Sequence, residues 1–85
     1  MSKYSVTTHH LKIIQPHFQN IVNGSKTQEL RKNDRDYKVG DLLVLNEWDG
    51  KWTENSAIRE ISHILKDCPE YGLMDGYVIL SLSKK

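Results

Sequence analysis

Leu42-Leu43-Val44-Leu45 is a dense apolar run that continues to Trp48 and stops at Asp49-Gly50. A short apolar run closed by a strong hairpin dipeptide reads as a buried strand that turns back on itself. Trp52 and Thr53 begin the return. The middle of the chain is therefore expected to pair antiparallel, and neighbouring segments must cover the faces of that hairpin.

The flanking segments supply them. His9 to Gln15 reads His-His-Leu-Lys-Ile-Ile-Gln, in which Leu11 and Ile13 alternate with polar neighbours, as in a half-buried strand. Residues 1–8 have no pattern and are expected to form a loose end or a short edge strand. Pro16 suits the first position of a short helix. That helix is expected to place Phe18, Ile21 and Val22 on one face and to end at Gly24. Thr27 to Lys32 is a further strand candidate, followed by the polar turn Asn33-Asp34-Arg35-Asp36 and the turn signal Val39-Gly40-Asp41. In Ser56 to Leu65 the isoleucines fit helical spacing, but the preceding hairpin and the β-branched content favour a strand with an irregularity. Cys68 to Gly72 reads as a loop. Asp75-Gly76 turns into a closing strand, Tyr77 to Leu82, and Lys84-Lys85 is a solvated end.

The connections are too short for repeated βαβ crossovers. The expected fold is α+β but mainly β: a mostly antiparallel curled sheet or partial barrel of about five or six strands with one or two short helices. The 85 residues suggest one domain. Apolar residues make up 38% and charged residues 27%, the balance of a globular chain. A net charge of +1, from 12 basic and 11 acidic residues, argues against coating nucleic acid through an overall field, though a local basic site remains compatible with it. One cysteine, Cys68, allows no internal disulfide. Residues 1–8 lack a signal-peptide core, and no apolar run approaches the roughly 20 residues that span a bilayer. The expectation is a cytoplasmic protein without a membrane partner. Oligomeric state is open, a monomer being compatible.

Chemistry concentrates between Gly24 and Lys38. Strand alternation over Thr27 to Lys32 puts Thr27, Glu29 and Arg31 on one face and Gln28, Leu30 and Lys32 on the other. Leu30 is expected to mark the core side, with Glu29 and Arg31 on a wetter side near Lys26. Arg31 can grip a phosphate or a base edge with its planar fork, Lys26 can place a point charge, and Glu29 can accept from an exocyclic amine or move a proton. On residue type alone the segment is a solvated charged face. His9 and His10 are adjacent and should face opposite ways; with no metal-ligand spacing, neither a metal nor another cofactor is expected. Cys68 has no base beside it and reads as structural or incidental, not as a nucleophile. Trp48 and Tyr77 are expected in the core or hairpin, whereas Lys51 and Trp52 at the hairpin tip are placed to touch a partner. Gly24-Ser25-Lys26-Thr27 follows a helix and lacks an upstream glycine, so it is not a P-loop.

His10-Leu11-Lys12-Ile13, Pro16, Phe18, Gly24-x-Lys26-x-x-Glu29-x-Arg31, Asn33-Asp34-Arg35, Val39-Gly40-Asp41 and Gly72-Leu73-x-x-Gly76-Tyr77 together resemble the ASCH family, and within it a small bacterial and phage RNA-binding subgroup. The resemblance runs from about His9 to Leu82. It implies a PUA-like β-barrel and a cleft between the barrel and the helix before the motif, lined by Lys26, Glu29 and Arg31. The expected ligand set is Lys26, Thr27, Glu29 and Arg31, with Arg35 and His10 beside them, and the expected partner is RNA or a nucleotide-like ligand. Some ASCH-like proteins are hydrolases acting on acetylated cytidine or RNA. That alternative would draw on Lys26, Glu29 and Tyr37, but the amidohydrolase branch has a threonine where this chain has Glu29; Thr27 lies two residues earlier on the same strand face. A third alternative is a protein-interaction domain whose charged segment is only an ion-pair network.

Overall fold

A computed structural model describes residues 6–84. Among the described residues, five strands form one mixed sheet: β1 (Thr8–Ile13), β2 (Gln28–Lys32), β3 (Leu42–Trp48), β4 (Trp52–Leu65) and β5 (Tyr77–Lys84). Their spatial order is β1-β3-β4-β5-β2, and the sheet curls into a half-barrel. The strands β1 and β2 are thus the two edges. One helix, α1 (His17–Val22), lies between them in sequence, and a 3₁₀ turn (Pro69–Tyr71) precedes β5.

The central hairpin is as the sequence indicates. β3 and β4 pair antiparallel, Trp48 opposes Trp52, and Asp49–Lys51 close the loop. Gly50 takes a left-handed backbone at φ +74, which glycine adopts at no steric cost. Ser56 to Leu65 is strand, with the register shifting between Ile61 and His63. This irregularity explains why its isoleucines miss strict alternation. Three of the four pairings are antiparallel, while β1 runs parallel to β3. A helix and a strand intervene between those two segments, enough chain to bring β3 back beside β1 in the same direction.

Alternation decides what goes inside. On β1, His9, Leu11 and Ile13 point inward and His10 and Lys12 outward. Leu43 and Leu45 from β3, Ile61 from β4 and Leu80 from β5 are completely buried, and burying each such side chain contributes roughly 1.5–3 kcal/mol. Phe18 and Ile21 plug α1 into this core. Val22, expected on the same helical face, is instead exposed, because six residues present only a narrow stripe to the sheet. Cys68 is buried and free. Among the described residues no helix is long and apolar enough to cross a membrane.

One assignment of faces is reversed. Leu30 is 60% exposed, whereas Glu29 is only 5% exposed. β2 is an edge strand whose inward face lies at the open seam of the half-barrel, not over the apolar centre. A carboxylate is stable there because cations close in on it from both sides.

Candidate ligand-binding cleft

The helix end sets up the cleft. Asn23 caps α1, its side chain accepts from the Ser25 backbone N–H at 2.9 Å, and Gly24 turns the chain at φ +86. The Lys26 N–H then bonds back to the Asn20 carbonyl at 2.9 Å, so Lys26 is fixed at the point where the helix hands over to β2. Its Nζ donates to the Gln28 carbonyl and, at 2.7 Å, to Glu29 Oε1. From the other side, Arg31 Nε donates to Glu29 Oε2 at 2.8 Å. Lys26, Glu29 and Arg31 therefore do converge, with Glu29 clamped between the two cations.

These groups border a cleft of about 530 Å³ between β2 and the end of β1. Lys12, Lys26, Arg31 and Lys32 line it against one carboxylate, Glu29, and His17 adds an imidazole. Leu30 and Ile14, both exposed, give it aliphatic walls. The cleft is thus locally cationic in a chain whose total charge is close to zero.

Arginines also bridge the seam. Arg31 Nη2 donates to the Lys12 carbonyl at 2.8 Å, and Arg35 Nη1 donates to the His10 carbonyl at 3.2 Å. Both acceptors belong to β1, the opposite edge of the sheet. Backbone groups on an edge strand need partners or water, and the two guanidinium groups supply them here. Arg35 and Tyr37 border a smaller hollow of about 130 Å³ beside Arg31, not the main cleft. The Tyr37 ring is buried against His9, 4.8 Å between centroids. Burial pushes its hydroxyl pKa up, against the opposing pull of Arg35 and Arg31. His9 itself points into the barrel, where its Nε2 lies 2.8 Å from Asp41 Oδ2. Thr27 does not line the cleft; it borders a smaller hollow of about 180 Å³ with Gly24, Arg59 and Lys84, reached on its near side by Lys26.

His10 lines a separate pocket of about 420 Å³ that meets the cleft at Lys12. Trp52 and Glu47 are also in its wall. Trp52 meets the Trp48 ring edge-on at 4.9 Å, and the Lys12 ammonium sits 5.1 Å from the centre of a Trp48 ring. Glu47 continues the inward face of β3 after Leu43 and Leu45, so a buried acid needs partners. It accepts from Gln15 Nε2 at 2.5 Å, Thr53 Oγ1 at 2.8 Å and Asn55 Nδ2 at 3.0 Å. The Asn55, Thr53 and Gln15 hydrogen bonds hold its pKa below the ordinary carboxylate value. Between Thr53 and Asn55, Glu54 adopts a left-handed backbone at φ +71, an uncommon state for a residue with a side chain.

Lys12, His17, Lys32 and Glu47 are site-lining residues that the sequence reading does not single out. For Lys12 a signal exists: it sits between Leu11 and Ile13, so alternation turns it outward with His10. What the sequence lacks is any sign that β1 and β2 are the two edges of one curled sheet. Among the described residues no group of three His, Cys, Asp or Glu side chains is placed to hold a metal ion.

Fold and site together define a small half-barrel domain with a basic cleft at its open seam. Residues 8–82 match DUF3850, a domain of unknown function, and the chain belongs to that family. It is also similar to an uncharacterized 12.9 kDa protein in the GpA 3′ region of Escherichia phage P2, 33% identical over 73 residues. The matched stretch is 85% of this chain and 64% of that phage protein, so the chain spans less than two thirds of its relative.

Proposed function

We propose that this domain binds RNA, or a nucleotide-like ligand, with phosphate held in the cleft between β1 and β2. The observation that carries this reading is the gathering of Lys12, Lys26, Arg31 and Lys32 around a single carboxylate. Sequence-tolerant nucleic-acid binding needs a positive groove that tracks the backbone, and a local groove suffices when the total charge is near neutral. Glu29 orients Lys26 and Arg31 so that their remaining donors are held in place before a ligand arrives, which lowers the ordering cost of binding. The likeness to ASCH proteins, with their PUA-like barrels, supports the same reading through Lys26, Glu29 and Arg31.

A hydrolase has weaker support. Lys26 is engaged as a donor to both Glu29 and the Gln28 carbonyl, which suits a fixed cation better than a proton shuttle. Tyr37 opens onto a different hollow.

The test is fluorescence anisotropy of a labelled single-stranded RNA against the wild type and the double variant Lys26→Ala/Lys32→Ala. Binding should weaken roughly tenfold or more, since a charge-assisted contact is worth about 1.5–3 kcal/mol. Equal affinity of the two folded proteins overturns the proposal.

A further inference from the structure

The pocket beyond Lys12 has a different chemistry from the cleft. It combines an exposed aromatic ring, Trp52, with two carboxylates, Glu47 and Glu54. Two acids disfavour a phosphate. A flat neutral group with a hydrogen-bond donor suits the place. The volume of about 420 Å³ falls in the range of about 300–1,000 Å³ usual for small-molecule sites. Trp52 is 57% exposed at the hairpin, so beyond its edge contact with Trp48 much of its side chain is free to meet a ligand. Glu54 lies on the same wall, in the bulge where the β3–β4 register shifts between Asn46 and Trp48, which accounts for its left-handed backbone. A carboxylate offers about four acceptor positions. Glu47 uses three of them, on Gln15, Thr53 and Asn55, and so can accept one more donor.

We propose that this pocket is a nucleobase subsite, in which Trp52 stacks on a base bearing an exocyclic amine and Glu47 accepts from that amine, while the attached phosphate lies in the adjoining cleft. The inference rests on the cleft binding phosphate, as proposed above, and deepens it by naming what each half of the groove takes. Lys12 lines both hollows and stands where phosphate and base would part. A carboxylate pairs with the amine of cytosine and finds no donor at the same position of uracil. The site should therefore distinguish the two.

Cytidine 5′-monophosphate, uridine 5′-monophosphate and ribose 5-phosphate are the probes, each titrated while the indole and backbone N–H resonances are followed by NMR. The cytidine nucleotide should shift the Trp52 indole resonance and bind about tenfold or more tighter than ribose 5-phosphate, the gain expected of one stacked base. Trp52→Ala, at an exposed position, should remove that gain and leave ribose 5-phosphate binding unchanged. Glu47→Gln should abolish any preference for cytidine over uridine. Equal binding of the cytidine nucleotide and ribose 5-phosphate, or an unchanged gain in Trp52→Ala, overturns the subsite alone, provided that ribose 5-phosphate binding still falls in Lys26→Ala. If neither nucleotide nor ribose 5-phosphate binds, the subsite and the cleft reading fall together.

Discussion

Arg31 joins the two edges of the half-barrel: its Nη2 donates to the Lys12 carbonyl at 2.8 Å. The same guanidinium holds Glu29 through Nε, so one side chain both closes the seam and shapes the cleft. Arg31→Ala should lower stability by about 1–3 kcal/mol, the cost of losing hydrogen bonds from a charged donor. Arg31→Lys keeps the charge but loses the fork, and should recover only part of that loss. Urea denaturation of the three proteins measures the series. Equal midpoints would contradict the seam role.

Leu30 gives the register of β2 a direct check. With its side chain exposed, Leu30→Ser should change stability by no more than about 0.5 kcal/mol. Leu45→Ala, in the sealed core, should cost about 2–5 kcal/mol. Comparable losses at both positions would mean that Leu30 faces inward.

Glu47 contributes an acid-dependent part of the stability. Its folded pKa is depressed below the ordinary 4.5 by the Asn55, Thr53 and Gln15 hydrogen bonds. The unfolded state therefore binds the proton more readily as pH falls. The stabilisation is present above pH 4.5 and is lost as pH drops from there through the folded pKa. Glu47→Gln should be less stable than the wild type at neutral pH, and the difference should shrink in acid. Thermal melts across that range measure it; a difference independent of pH would show that Glu47 is not held as a carboxylate.

Tyr37 gives the opposite sign. Burial raises its folded pKa above 10.0, so its contribution is complete below that pH and is lost as pH rises through the folded value. Tyrosinate absorbance should show a tyrosine that ionises late, and Tyr37→Phe should remove that late phase. An unchanged profile in the variant would place Tyr37 in water.

The hairpin from Leu42 to Thr53, the inward turn of Leu11 and Ile13, and the strand character of Ser56 to Leu65 were all legible because each rests on local alternation or turn chemistry. The convergence of Lys26, Glu29 and Arg31 was legible as a motif, but its orientation was not. Alternation groups Glu29 with Arg31 and separates them from Leu30, yet it cannot say which group meets the core. An apolar leucine is the natural choice until β2 is known to border an open seam. The parallel pairing of β1 with β3 was equally hidden, since hydrophobic period does not report strand direction. Glu47 comes beside Lys12 through that pairing, which sets Ile13 opposite Glu47.

The salt dependence of RNA affinity tests the central claim most directly. If Lys12, Lys26, Arg31 and Lys32 meet phosphates, log affinity for a single-stranded RNA should fall linearly with log salt concentration, with a slope of about −0.7 for each phosphate neutralised. Lys26→Ala should make that slope shallower by about 0.7, whatever the RNA sequence. A folded protein that binds no RNA at low salt, or a slope identical in wild type and Lys26→Ala, would contradict the account.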